Sequence, residues 1–441
     1  MAKKPLYMKH GGPVERLLRP YQEFFFTASF GGLLLLGSTI LALVWANSPW
    51  AESYEHLWHT EISLHIGSLQ LSETLHHWIN DGLMAVFFFT VGLEIKRELL
   101  TGELSTPRQA MLPIAAAVGG MIVPAAIYAW FNAGTPEVSG WGVPMATDIA
   151  FALGILALVG DRVPVPLKIF LTALAIVDDL GAVLVIAFFY TSNLDFTALG
   201  LGAALLVAMI AANIFGVRAP SVYLGLGFAT WLCFLYSGVH ATIAGVLAAM
   251  TIPAKTMIDE DEFEARAKDL MKRFRAAQTD SDRKVIVQAL EYSCLHVEAP
   301  LQRIEHSNHF WVAFVIMPVF ALSNAGLELG AGLLDAFSSA VTLGIVFGLV
   351  VGKQIGVTLF SYLVVKLGWA SLPEGVSWQH VYAASWLAGI GFTMSLFIAN
   401  LGFESADVLS SAKAGVLAAS LIAGVVGYLL MKRVIASHPT A

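Results

Sequence analysis

From Phe24 to Met431 the chain reads as a succession of apolar stretches, each near the roughly 20 residues a helix needs to cross the hydrocarbon of a bilayer. Twelve spans are predicted, at 24–47, 78–96, 109–131, 141–160, 165–190, 196–216, 221–236, 238–253, 309–327, 338–362, 380–400 and 408–431. Two longer polar connections interrupt the series. The first, 48–77, contains the alternating run Glu61-Ile62-Ser63-Leu64-His65-Ile66, then Gly67-Ser68, then Leu69-Gln70-Leu71. Glycine at the first position of a two-residue turn predicts a type II′ hairpin. An isolated hairpin is only marginally stable, so a second copy of the chain is its expected partner, making a homodimer. In the second connection, 254–308, Phe263, Ala267, Leu270 and Phe274 fall at helical spacing and predict short surface helices.

Composition agrees with a chain that uses lipid as its solvent. Of 441 residues 57% are hydrophobic and 13% charged, with a mean hydropathy of +0.71, more apolar side chain than a soluble core can use. The net charge of −7 gives no reason to expect nucleic acid as a partner. Cys233 and Cys294 are too few and too differently placed for a disulfide framework. The first apolar run is longer than a signal-peptide core and lacks a convincing cleavage site, so it is expected to be retained as a helix. The expected organisation is an N-terminus at 1–23, one membrane domain at 24–431 and a C-terminus at 432–441. Placing both termini in the cytoplasm puts every Lys and Arg on the inner side except Lys353, within a span, and Lys413, at an outer end.

Against this background the ionisable residues inside spans stand out: Asp81, Asp148, Asp178, Asp179, His240 and Lys353, with Glu94, Lys96, Arg97 and Glu98 at an inner boundary. Each costs about 2.5–3.5 kcal/mol to place at the membrane centre if charged, which makes an ion pathway the default reading. Asp178 and Asp179 sit in mid-helix and point about 100° apart, so they cannot serve one small pocket equally. One is expected to bind a cation while the other takes Lys353, and burial disfavours the charged form of each group unless it is paired. A static ion pair would leave the second aspartate without a purpose.

Two spans carry signals for interruption. Pro144 removes a backbone donor and clashes with the preceding turn, so its helix should break just before Asp148. Gly389-Ile390-Gly391-Phe392-Thr393-Met394-Ser395 places two glycines and two hydroxyls in mid-membrane. Broken helices at corresponding places point to a transporter's binding site. Their exposed ends carry partial charges, which Asp148 could balance at N-termini and Lys353 at C-termini.

These residues resemble the NhaA family of sodium/proton antiporters over nearly the whole chain. The strongest matches are Ala146-Thr147-Asp148-Ile149-Ala150-Phe151-Ala152-Leu153-Gly154, Ala173-Leu174-Ala175-Ile176-Val177-Asp178-Asp179-Leu180-Gly181-Ala182, Ser237-Gly238-Val239-His240-Ala241-Thr242, Val91-Gly92-Leu93-Glu94-Ile95-Lys96-Arg97-Glu98 and Gly352-Lys353. The resemblance implies an all-α membrane fold of about 12 helices, with inverted-topology repeats and two broken helices crossing at mid-membrane. It implies that Asp178 and Asp179 form the ion and proton site and are the Na⁺ ligands, that Thr147 and Asp148 belong to the crossed assembly, and that Lys353 pairs near Asp178. It further places Asp81 in a funnel and Glu94, Glu98, Glu305, His306 and His309 in a cytoplasmic pH-responsive cluster, with His240 near the opposite mouth. The implied activity is electrogenic, pH-regulated export of Na⁺ or Li⁺ against protons by alternating access in a bacterial inner membrane. The partners are then these ions and membrane lipid, with no cofactor. The stretch preceding Glu305 is longer than the family's pattern, which bears on the geometry of that cluster.

Other chemistries fit less well. An intramembrane aspartyl hydrolase needs two facing carboxyls that share a proton, which adjacent helical positions do not supply. A cation channel needs a continuous pore, against which buried Lys353 argues. Gly32-Leu33-Leu34-Leu35-Leu36-Gly37-Ser38 lacks the lysine of a phosphate loop and lies within a span, so no nucleotide is expected. His56 and His59 have a possible metal spacing but no accompanying Cys or carboxylate frame.

Overall fold

The computed structural model describes residues 28–66, 69–160, 162–191, 194–328, 330 and 333–437. Helices α1 (Ala28–Ala46) and α2 (Ala51–Trp58) precede strands β1 (Glu61–Ile66) and β2 (Leu69–Thr74). Then come α3 (Leu75–Thr101), α4 (Pro107–Phe131), a 3-10 helix Pro136–Met145 followed by α5 (Ile149–Val159), α6 (Val165–Phe189), α7 (Phe196–Ile214), α8 (Pro220–Leu235) and α9 (Ala241–Thr251). The polar connection holds α10 (Glu260–Ala276) and α11 (Asp280–Val297). The chain closes with α12 (Pro300–Trp311), α13 (Met317–Asn324), α14 (Leu333–Ser338), α15 (Ala340–Lys366), α16 (Trp378–Ala388), α17 (Phe392–Gly402) and α18 (Ala406–Ser437).

Each of the twelve expected spans falls on one of these helices or on a pair joined by a short break, residues 24–27 lying outside the described ones. Among the described residues, length and apolarity alone qualify seven helices to cross a membrane, or nine if each of two bent pairs is one span. The difference from twelve arises at helices such as α8 and α9, which are apolar but only 16 and 11 residues long. One bent pair is α16 with α17, turned by 45°. The other, α1 with α2, turns by 116° and has no counterpart in the sequence reading. Tyr54 holds it: its ring packs edge-on against Trp45 and Trp58, and its hydroxyl donates to the Leu322 carbonyl at 2.7 Å.

β1 and β2 pair antiparallel, with Glu61 opposite Thr74 and Ile66 opposite Leu69, and the turn residues Gly67 and Ser68 lie outside the described ones. On α10, Phe263, Ala267, Leu270 and Phe274 form a half-buried stripe on an otherwise exposed helix.

Contacts divide the chain into two compact units, one of Met1–Thr60, Arg108–Ala182 and Met317–Ala441, the other of Glu61–Pro107 and Val183–Ile316. In the second unit Phe89 and Leu93 of α3 pack with Met209, Tyr223, Ala249 and Ile304. Lys96 Nζ donates to the carbonyls of Met250, at 2.6 Å, and Ile252, which caps the C-terminal end of α9 with a cation, where the helix dipole favours one. In the first unit α4 and α15 cross so closely that a Cβ on Gly356 would land on the Gly119 carbonyl. That crossing, preceded in α15 by a π turn at Gly348–Gly352, sets the position of Lys353.

Candidate functional site

The peptide chain leaves helical geometry after Met145 and re-enters it at Ile149. Ala146 and Asp148 are extended at the break, the consequence expected of Pro144. Asp148 is the N-cap of α5: its Oδ1 accepts from the Phe151 N–H at 2.9 Å. Its Oδ2 accepts from the backbone N–H of Thr393, at 3.0 Å, and from the Thr393 hydroxyl, at the start of α17. The Asp148 N–H in turn donates to the Ile390 carbonyl at 2.6 Å, and Ser395 Oγ donates to the Val143 carbonyl at 2.7 Å. The two interrupted helices are therefore tied together at their breaks. One carboxylate, 0% exposed, sits at the N-terminal ends of both following helices, where partial positive charge stabilises an anion.

The preceding residue belongs to a second cluster. Lys353 Nζ donates to Asp178 Oδ2 and, at 2.9 Å, to Thr147 Oγ1. Lys353 and Asp178 are each 0% exposed, so the pair is sealed from water. Thr147 Oγ1 lies 2.6 Å from Asp178 Oδ2 and 2.8 Å from the Ala388 carbonyl, the last of α16. A hydroxyl has one proton, so it serves one of these acceptors at a time. Asp178 Oδ1 accepts no hydrogen bond among the described residues. Asp179, 1% exposed, lies on the next position of α6 and adds a further negative charge felt at Lys353. Lys353 thus answers a carboxylate and reaches the C-terminal end of α16 only through Thr147.

Residues 22–431 match the family described as Na+/H+ antiporter 1. The chain belongs to this family, that of the NhaA sodium/proton antiporters. It is 53% identical over 427 residues to the Na(+)/H(+) antiporter NhaA of Oleidesulfovibrio alaskensis, covering 95% of both chains. It is 49% identical to Na(+)/H(+) antiporter NhaA 2 of Syntrophotalea carbinolica, covering 95% of this chain and 97% of that one. For the NhaA of Koribacter versatilis the identity is 47%, with 96% and 93% covered. NhaA-family membership makes the chain a multi-pass transporter and not an enzyme.

The remaining candidate residues of this NhaA-family chain lie in the second unit. Asp81 falls in a π turn of α3, where His77 Nε2 approaches its carboxylate at 2.8 Å and Trp231 Nε1 donates to its carbonyl at 3.0 Å. The sequence reading missed His77, although its i,i+4 spacing from Asp81 was a usable signal. Glu305, buried on α12, is bonded to Arg97 of α3, which also donates to Glu98 at 3.1 Å. Glu94 is half-buried one helical turn before Glu98. His306 and His309 are exposed and make no hydrogen bond or ion pair among the described residues, so the linked part of this group is carboxylates around a guanidinium. His240 precedes α9, and its Nε2 lies 2.7 Å from the Tyr190 carbonyl.

Proposed function

We propose that the chain is a secondary active, electrogenic antiporter that exports Na⁺, or Li⁺, in exchange for protons by alternating access. Sodium/proton antiport follows from membership of the family and from the names of the relatives. The observation that carries the site assignment is the sealed Asp178–Lys353 pair with Asp179 one position on. Asp179 is the primary cation ligand. Asp178 alternates between Lys353 and the cation, with backbone carbonyls near Thr147 and water as further oxygen donors. Asp179 and the Asp178–Lys353 pair are then separate proton carriers, so one cation can displace more than one proton, which makes exchange electrogenic. Asp148 acts as the electrostatic counterweight to the two helix N-termini.

Asp81 lines the approach for ions, and the Glu94, Glu98, Glu305, His306, His309 and Arg97 group, together with His240, adjusts activity to pH. The run from α4 to α6 and the run from α15 to α18 each have an interrupted middle member. With twelve crossings they traverse the membrane in opposite senses, the pattern of an inverted repeat. Both termini lie in the cytoplasm of a bacterial inner membrane, and two copies associate through the β1–β2 hairpin among the membrane lipids.

The test is dissipation of a pH gradient by added Na⁺ or Li⁺ in everted vesicles. Wild type should dissipate it and Asp179→Asn should not. A gradient untouched by Na⁺ at every pH from mildly acid to alkaline would refute the assignment.

A further inference from the structure

On another face of α15 from Lys353, the first unit holds a cavity of about 680 Å³ between α15 and α16. Val351, Ile355 and Leu359 make one wall, and Trp378, Tyr382 and Trp386 the other. Three polar side chains line it without a hydrogen-bond partner among the described residues: Gln354, at both amide atoms, Thr358 at its hydroxyl and Trp386 at Nε1. Gln354 is only 5% exposed. These polar atoms are closed off from the groove itself, whose accessible surface is almost wholly apolar and suits acyl chains.

The end of the groove near Lys366 has a different chemistry. Tyr362 packs edge-on against Trp378, with ring centres 5.5 Å apart, and Lys366 Nζ stands 5.8 Å from the centre of the Tyr362 ring. Tyrosine and tryptophan with a cation above them mark the water boundary of a membrane. Lys366 makes no ion pair among the described residues.

We propose that the groove between α15 and α16 binds one anionic phospholipid. Its phosphate sits at Lys366, and its chains lie along Val351, Ile355 and Leu359, against Trp378 and Tyr382. Occupancy bears on the ion site through α15. Gln354 follows Lys353 directly, and its Nε2 lies so near the break after α16 that a Cβ on Gly389 would come within 3.1 Å of it. The lipid therefore braces the helix that carries Lys353 against the interrupted helix, a modulation that antiport as such does not require.

The purified full-length chain, stripped of lipid and titrated in detergent with phosphatidylglycerol or phosphatidylcholine, tests this by native mass spectrometry. One phosphatidylglycerol should be retained in preference to phosphatidylcholine. Lys366→Gln should weaken that retention about fivefold, the roughly 1 kcal/mol of one cation near an anionic lipid. Lys432→Gln, whose lysine stands over Tyr428 at the same 5.8 Å on α18, should leave it unchanged. Leu359→Trp puts an indole in the path of the acyl chains and should remove the bound lipid while the chain keeps Na⁺-driven exchange in phosphatidylcholine vesicles, without stimulation by phosphatidylglycerol. Equal retention by Lys366→Gln and Lys432→Gln, or an unchanged lipid count for Leu359→Trp, would overturn the site. Lipid retention is read independently of transport, so absence of exchange in the wild type would count against the antiport reading alone.

Discussion

At the residue scale, the site turns on how few protons must satisfy many acceptors. Thr147 has one hydroxyl proton between Asp178 and the Ala388 carbonyl and receives one from Lys353. Thr147→Val keeps the shape and removes that link, so unfolding in detergent should show a loss of about 1–3 kcal/mol, whereas Thr147→Ser should stay near wild type. A valine variant as stable as wild type would mean that the hydroxyl does not hold the pair. Lys353→Ala strands Asp178 in a sealed site and should cost about 3–5 kcal/mol unless the carboxyl takes up a proton. In the vesicle assay it should alter the pH profile of exchange more than Na⁺/Li⁺ discrimination. A changed discrimination on an unchanged profile would contradict the role given to Lys353.

Among the elements, close approach and capping dominate. Gly356→Ala drives a methyl group into the Gly119 carbonyl, where backbone cannot yield as a flexible side chain would. A destabilisation of about 1–3 kcal/mol is expected, with slower exchange because α15 carries Lys353. The control is Gly200→Ala on α7, where nothing lies within 4 Å. There the gain in helix propensity should raise stability by about 0.4–1 kcal/mol. Thermal unfolding of both variants side by side distinguishes crowding from a general intolerance of alanine. Lys96→Met retains the apolar stem but loses both bonds to the end of α9, so it should lower stability by about 1–2 kcal/mol. An unaffected melting temperature would show that water caps α9 equally well.

For the whole molecule, the testable quantity is sidedness. With both termini in the cytoplasm, as proposed, the 254–308 connection would be cytoplasmic; Cys294 of α11 is exposed within it, while Cys233 is half-buried in α8. A membrane-impermeant maleimide should therefore label Cys294 in everted vesicles and leave it untouched in intact cells. Labelling from outside the cell would overturn the proposed sidedness.

What the sequence determined by itself follows from the solvent. In a bilayer every ionisable residue is an anomaly wherever it falls, so Asp148, Asp178, Asp179 and Lys353 were legible without knowing their neighbours. A proline such as Pro144 acts on its own helix and announces a break locally. The stripe on α10 was likewise written in its spacing. Tertiary structure alone decided the partnerships, because the groups involved are remote in sequence. Lys353 meets Asp178 across 175 positions, and Asp148 meets Thr393 across 245. The choice between two adjacent aspartates depends on the angular setting of α6 and α15, which the α4–α15 crossing at Gly119 and Gly356 controls and no periodicity encodes. The same holds for Lys96, which reads as one more boundary cation until α9 ends beside it.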